Sequence, residues 1–366
     1  MSSEFDINIK WMKRAINLAS LAMGMTSPNP MVGAVILNKS GHIVSEGFHQ
    51  KSGMIHAEVM ALDNASSDFE GGSLYVSLEP CSHHGKTPPC TDRIISSGLK
   101  NIFIAMQDPD PRVSGKGIKI LKNAGLNVHV GICEDESRSL NKAYIQRIVN
   151  GMSYGVLKWA MSIDGRLGLK NGKSKWVSNQ YSRSEVHSIR SHFDAIIVGG
   201  NTLRKDNPLL TSRGKKKQEP LRVVFTRTLN LPERSNFWNP KLSKSLVIYD
   251  GTNANENYLE RIPSWVEIEK VDSDDPINIS FALARRGINN ALWECGPNLA
   301  TAALKNGCIQ ELMTFISPKI LGGVNCMSPF SDFQFTEMND AIALYFRNLS
   351  LFDGDLLIKS NLKKQD

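Results

Sequence analysis

The 366-residue sequence contains no apolar run near the roughly 20 residues needed to cross a bilayer, so no membrane-spanning helix is expected. Its first ten residues carry Glu4 and Asp6 and no apolar stretch, which argues against a secretory leader and for a cytoplasmic protein. Cysteine is sparse: six residues in a chain of this length do not make a disulfide scaffold. Cys133, Cys295, Cys308 and Cys326 lie in or beside apolar runs and read as reduced core thiols. Internal repeats and low-complexity tracts are absent. So is any Gly-x-Gly-x-x-Gly turn after an expected strand, which leaves a Rossmann dinucleotide site without support. The net charge of +7 is not gathered into a basic stripe interleaved with aromatics; the one dense basic run, 213–217, reads as a solvated loop. Nucleic acid and membrane are therefore not expected partners, and a basic balance of this size equally suits phosphorylated small molecules or carries no functional meaning.

What is present is ordinary globular composition, 41% hydrophobic and 22% charged, in a chain long enough for two domains with cores of their own. Helix-like and strand-like periodicities alternate. Helices are expected over 9–23, 56–65, 91–97, 116–124 and 134–149, with strands over 31–37, 74–77, 102–106 and 127–130. The turn signal Asn150-Gly151 places a domain boundary between 1–150 and 151–366. Beyond it, strands are expected over 154–160, 195–199, 221–226, 245–249, 266–271, 291–294 and 312–317, with a C-terminal pair over 341–346 and 354–358. Both halves thus read as α/β layers around a largely buried sheet.

His56-Ala-Glu58 opens an expected helix, and Pro80-Cys81 and Pro89-Cys90 follow. One imidazole and two thiolates suit Zn²⁺ and leave a fourth tetrahedral position for water, whose pKa zinc lowers to about 7. Glu58, two residues from His56, is placed to carry a proton from that water to a leaving nitrogen. A closed structural site remains open as an alternative if His83 or His84 supplies a fourth ligand. This order, His-x-Glu then Pro-Cys and a further Cys, is the signature of zinc nucleobase deaminases.

On these residues the first half resembles the cytidine-deaminase superfamily. More narrowly it resembles the deaminase half of the bifunctional deaminase/reductase family of riboflavin biosynthesis, through Ser27-Pro-Asn-Pro-Met-Val-Gly33, Gly47-Phe-His49 and Cys81-Ser-His-His-Gly-Lys-Thr-Pro-Pro-Cys90. The resemblance implies a three-layer α/β/α domain and substrate contacts at Asn29, His49 and Lys86; His83, His84 and Thr87 stay unassigned. The second half resembles the reductase half of the same family, through the segments 158–166, 172–176, 194–199, 206–213, 292–297 and 317–323. This implies a dihydrofolate-reductase-like α/β domain that uses NADPH. Ala160, Trp176, Thr202, Asp206 and Gly296 match cofactor-contacting positions, and Ser174, Arg190, Leu210, Arg213 and Glu294 match substrate-contacting ones. Arg190 and Arg213 are expected to clamp a phosphate. Asp206 and Lys158 are the expected proton-handling pair, and Arg227 is a candidate for the cofactor's 2′-phosphate. Where the family commonly carries an acidic pair, this chain has Asp206-Asn207. The implied reactions are deamination of 2,5-diamino-6-(5-phosphoribosylamino)pyrimidin-4(3H)-one and then reduction of its ribosyl group to ribityl, and the implied assembly is a homo-oligomer. A nucleic-acid deaminase and a non-catalytic zinc-stabilised binding protein are the alternatives; the first leaves residues 151–366 unexplained.

Overall fold

The computed structural model describes residues 4–66, 68–83, 88–171, 176–216, 218–323 and 325–363. The chain divides into two compact units, Met1–Asn150 and Gly151–Asp366.

The first unit runs α1 (Glu4–Ser20), β1 (Gly33–Leu37), β2 (Ile43–Phe48), α2 (Ala57–Asp63), β3 (Ser73–Leu78), α3 (Cys90–Ser96), β4 (Asn101–Met106), α4 (Lys116–Asn123), β5 (Asn127–Val130), α5 (Glu134–Leu140) and α6 (Lys142–Asn150). Its sheet has the order β2-β1-β3-β4-β5. The central strands β1, β3 and β4 are almost wholly buried because helices cover both faces. On one face Met12, Ala15 and Ile16 of α1 pack against Val35, Tyr75 and Phe103. On the other, Ala57 and Ala61 of α2, Ile94 of α3 and Leu121 of α4 pack against Ile36, Val76 and Ile104. The strand β2 has no counterpart among the expected elements. Its sequence Ile-Val-Ser-Glu-Gly-Phe is half-exposed at the sheet edge and carries no apolar alternation. The expected helix over 134–149 is broken at Asn141, whose buried side chain bonds both polar groups of the Met31 backbone instead of continuing the helix.

Topology decides what gathers at one edge. Strand β1 runs antiparallel to β2 and to β3, while β3 and β4 are parallel. The carboxyl ends of β2, β3 and β4 therefore lie beside the amino end of β1. Asn29 precedes that amino end, His49 follows β2 and Cys81 follows β3, so three distant sequence segments meet there.

The second unit runs β6 (Tyr154–Ser162), α7 (Gln180–Ser191), β7 (Ala195–Gly199), α8 (Gly200–Asp206), β8 (Leu221–Thr226), β9 (Ser245–Asp250), β10 (Glu267–Val271), α9 (Ile277–Arg285), β11 (Asn290–Trp293), α10 (Pro297–Lys305), β12 (Glu311–Ser317), β13 (Leu344–Phe352) and β14 (Asp355–Leu362). The sheet order is β10-β9-β8-β7-β11-β6-β12-β14-β13, parallel up to β12 and antiparallel at β14 and β13. Runs such as Ala-Ile-Ile-Val in β7 are buried residue after residue, as a strand covered on both faces requires. Helices α8 and α9 were not among the expected elements. The first follows directly on β7 through Gly199-Gly200, a pair that reads as a turn. The second, Ile-Asn-Ile-Ser-Phe-Ala-Leu-Ala-Arg, is too evenly apolar to show one helical stripe. Among the described residues no helix is long and apolar enough to cross a membrane.

Candidate functional site

His56 occupies the N-cap of α2, and Glu58 lies in that helix's first turn. The placement depends on Gly47 of β2. A Cβ there would lie 2.5 Å from the Ala57 carbonyl oxygen and 2.6 Å from the Ala61 nitrogen, so only glycine lets α2 sit this close to the strand. Cys90 is the first residue of α3, after Pro89. Cys81 is reached from β3 through Glu79-Pro80. His56 Nδ1 lies 3.2 Å from Cys90 Sγ and 3.5 Å from Cys81 Sγ, and all three donor atoms fall within 4.8 Å of one another. Tetrahedral zinc with ordinary bond lengths puts nitrogen and sulfur about 3.5 Å apart. The donor set and its spacing therefore fit zinc, with His56 offering Nδ1. Hydrogen bonding from the Cys90 thiol holds the Cys81 thiol well below its ordinary value, with His56 and the Cys90 backbone N–H adding to the effect. A sulfur so inclined to thiolate is ready to ligate.

Glu58 is 3% exposed. Burial pushes its carboxyl up to about 7, and the Cys81 charge reinforces the shift, so it can both accept and return a proton near neutrality. Beside it the His49 and His56 rings meet edge to face, with centroids 5.5 Å apart. His49 is buried; its Nδ1 lies 3.1 Å from the Ile55 carbonyl oxygen and its Nε2 lies 3.1 Å from Asn29 Nδ2. A carbonyl only accepts, so Nδ1 carries the proton and Nε2 accepts from the Asn29 amide. Burial lowers the His49 pKa, in keeping with this neutral form. Both ring nitrogens of His49 are thus engaged, Nδ1 by Ile55 and Nε2 by Asn29.

Sequence reasoning passed over Glu79. Its buried carboxylate accepts backbone N–H bonds from Asp108 at 3.1 Å, Gly115 at 2.9 Å and Ile118 at 3.2 Å, which lock the β4–α4 connection against the segment carrying Cys81. Its position one residue before Pro80-Cys81 was a signal available in the sequence. Lys86, with His84 and Thr87, lies outside the described residues, as does Ser174.

In the second unit Trp293 pairs in register with Leu157 of β6 and Ile197 of β7. The residues that follow Trp293 and Leu157, Glu294 and Lys158, are therefore neighbours where β11 ends, midway along the longer β6. Lys158 Nζ donates to Glu294 Oε2 at 3.3 Å, and Arg190 reaches from α7 to grip the same carboxylate through Nε at 2.6 Å and a terminal nitrogen at 3.1 Å. The remaining Arg190 terminal nitrogen donates to the Thr211 carbonyl oxygen at 3.1 Å. Burial pushes the Glu294 carboxyl up, but Arg190 and Lys158 outweigh it and hold it at about 2. Arg190 thus spends its guanidinium on Glu294 and Thr211, and Lys158 is paired with Glu294. Asp206 ends α8 and is exposed.

Leu210 and Arg213 both adopt left-handed backbone, φ 55° and 56°, a costly conformation for non-glycine residues. The loop is held by Arg190 and by Glu219, which accepts from the backbone of Ser212 at 2.5 Å and Gly214 at 2.8 Å. Leu210 is buried, while Arg213 is exposed. Neither Glu219 nor Thr211 was singled out from the sequence.

A cleft of about 490 Å³ opens beyond the carboxyl ends of β7, β8 and β11. Gly199, Gly200, Thr202, Phe225 to Thr228 and Gly296 to Leu299 line it, so Thr202, Gly296 and Arg227 of the expected cofactor set are brought together. Crevices at this end of a parallel sheet are where nucleotides bind in open α/β folds. Free N–H groups at the start of the nine-residue helix α10 suit a phosphate. Half-buried Ala160 on β6 and Trp176, 63% exposed beneath the Arg183 guanidinium at 4.3 Å, lie outside that lining.

Comparison with known proteins bears on both units. Residues 6–106 match the cytidine and deoxycytidylate deaminase zinc-binding region, and residues 153–358 match the RibD C-terminal domain. The riboflavin biosynthesis protein RibD of Synechocystis is 41% identical over 334 residues, 91% of this chain and 90% of that protein. The chain belongs to the RibD family. RibD of Aquifex aeolicus is 40% identical over 87% of this chain and 88% of its own length. Among solved structures, RibD of Acinetobacter baumannii is 32% identical with a TM-score of 0.88, covering 99% of this chain and 100% of that one. The Thermotoga maritima diaminohydroxyphosphoribosylaminopyrimidine deaminase/5-amino-6-(5-phosphoribosylamino)uracil reductase is 33% identical, with the same TM-score and coverage. RibD membership accounts for the pairing of a deaminase-type sheet with a dihydrofolate-reductase-like sheet in one chain, and for the zinc set at the edge of the first.

Proposed function

We propose that the chain performs two successive reactions on one phosphoribosyl pyrimidine: hydrolytic deamination of 2,5-diamino-6-(5-phosphoribosylamino)pyrimidin-4(3H)-one, then NADPH-dependent reduction of the product's ribosyl group to ribityl. The observation that carries the reading is the convergence of His56 Nδ1 and the Cys81 and Cys90 sulfurs within 4.8 Å, beside buried Glu58.

His56, Cys81 and Cys90 would hold zinc, which when bound supplies an acidified water. Glu58 takes that water's proton as the water adds to the ring carbon bearing the amine. It returns the proton to the departing nitrogen, so that ammonia leaves and a carbonyl remains. Asn29, fixed by His49, offers its amide to the pyrimidine edge. The expected role of Lys86 in meeting the 5-phosphate belongs to the same step.

In the second unit Thr202, Gly296 and Arg227 would hold NADPH, which supplies the hydride for C1′ of the opened sugar. Ala160, Trp176 and Asp206 remain assigned to the cofactor by their match to family positions. Lys158 or Asp206 supplies the balancing proton. Support falls on Lys158, because the Glu294 pairing fixes its amino group midway along β6, beside the end of β11. Arg213, Leu210, Glu294 and Ser174 would meet the substrate, with Arg213 on its phosphate and Arg190 acting through Glu294.

The test is a coupled assay in which purified protein, the diaminopyrimidine phosphate and NADPH are followed for ammonia and for nicotinamide absorbance together. Ammonia release that precedes NADPH oxidation supports the proposal. Ammonia from oligonucleotides but not from the pyrimidine phosphate would overturn it.

A further inference from the structure

Asp274 lies between β10 and α9 and lines the cleft of the second unit together with Arg227, which directly follows β8. The two side chains form an ion pair, Arg227 to Asp274 Oδ2 at 3.7 Å, with 65% and 54% of their side-chain surfaces exposed. Arg204 and Lys205 of α8 line the same cleft, but Arg204 is already bonded to the Asn230 carbonyl oxygen at 2.6 Å. The charged residues lining the cleft are thus cationic except for one carboxylate, and that carboxylate is paired with Arg227. Nothing in the packing of the unit calls for it, since both partners are exposed and a pair of this kind contributes little to folding.

A carboxylate and a guanidinium at one ribose have opposite preferences. The guanidinium favours a 2′-phosphate through charge-assisted, bidentate hydrogen bonds. The carboxylate accepts a bond from a free 2′-hydroxyl and repels a phosphate, as the acidic residue of NAD-binding folds does. We propose that Asp274 is a specificity-determining residue of the reductase cleft, holding Arg227 in a pair that a 2′-phosphate must displace and so setting how strongly the cleft prefers NADPH to NADH. This rests on the reading of the cleft as the dinucleotide site.

The full-length protein and its Asp274→Asn and Arg227→Gln variants are titrated with NADPH and with NADH, following quenching of tryptophan fluorescence to obtain Kd without turnover. Asp274→Asn should bind NADPH about two- to fivefold tighter, the range that release of one exposed ion pair allows. NADH binding should stay unchanged or weaken. Arg227→Gln should weaken NADPH about tenfold or more and NADH little, as expected for loss of a charge-assisted contact. The NADPH effects should shrink as salt rises from 50 to about 500 mM. An unchanged NADPH-to-NADH ratio in Asp274→Asn, with both dinucleotides still binding, overturns the role of Asp274 alone. Failure of the unsubstituted protein to bind either dinucleotide overturns the cleft assignment and the inference with it.

Discussion

Replacing Glu294 by glutamine removes the anion that neutralises Lys158 and Arg190 while keeping the side chain's size. The carboxyl is held at about 2 instead of 4.5, which corresponds to about 3 kcal/mol of stabilisation at neutral pH. Its side chain is 11% exposed, and those of Lys158 and Arg190 are 14% and 12% exposed, so solvent screens the triad only weakly. An amide in its place leaves two buried cations without a counter-charge, a change that costs about 3–5 kcal/mol where one partner of a buried pair is removed. In a unit of this size each kcal/mol lowers Tm by about 2–4 °C, so the second unit of Glu294→Gln should melt roughly 10 °C lower. Because the folded pKa is depressed, the stabilisation is complete above the ordinary carboxylate value and fades as pH falls toward about 2. The gap between the two proteins should therefore narrow below about pH 4.5, with roughly 40% of the charge contribution gone at pH 3.5. Scanning calorimetry at pH 7 and pH 3.5 reads both quantities, and ammonia release reports that the first unit is intact. A gap of less than about 2 °C at pH 7, or one of equal size at both pH values, would refute the reasoning.

Glu58→Gln should lower deamination by about 10²–10⁴ while bound zinc and NADPH oxidation on pre-deaminated substrate stay as they were; loss of zinc in that variant would make Glu58 a structural residue instead. Chelation at neutral pH should abolish ammonia release and spare reduction, with zinc restoring the first activity; deamination that survives complete metal removal, checked by elemental analysis, contradicts the site. In Gly117→Ala the new Cβ would lie 2.2 Å from the Pro80 carbonyl oxygen, so the segment carrying Cys81 must shift. The first unit should lose about 1–3 kcal/mol and bind zinc more weakly, and unchanged melting and metal affinity would show that this packing is unimportant.

The metal set was legible because ligation is a chemical demand that few residues meet: one imidazole and two thiols in a fixed order leave little else to read. The alternating elements were legible for a similar reason, since strands buried on both faces, such as β7, must be apolar throughout. Partnership was not legible. Arg190 and Arg213 look alike in the sequence, and only the register of β11 on β6 shows that Glu294 is delivered to Arg190. The roles of Asn141, Glu79 and Glu219 are hidden for the same reason. Each is a polar residue whose partner is backbone, distant in sequence for Asn141 and Glu79 and within the same loop for Glu219, and no local pattern marks it. His49 was expected in the site from its match to the family, but its bonds to Asn29 and to the Ile55 carbonyl could not be read from the sequence.

Both candidate sites lie where parallel strands end and helices begin, and the electrostatics of that edge explain how a chain of modest charge handles anions. Cys81 follows β3, and its sulfur accepts from the backbone N–H of Cys90, the first residue of α3. The cleft of the second unit lies beyond β7, β8 and β11, with α10 starting at its wall. Backbone N–H groups at such starts have no partner within their own helix, and they present partial positive charge to thiolate or phosphate. These main-chain groups add to the hydrogen bonds and charge that side chains supply: His56 and the Cys90 thiol beside Cys81, and Arg204, Lys205 and Arg227 along the cleft. Arg213 would select the phosphate of the substrate and Arg227 that of the cofactor, and it is on the second of these that Asp274 acts.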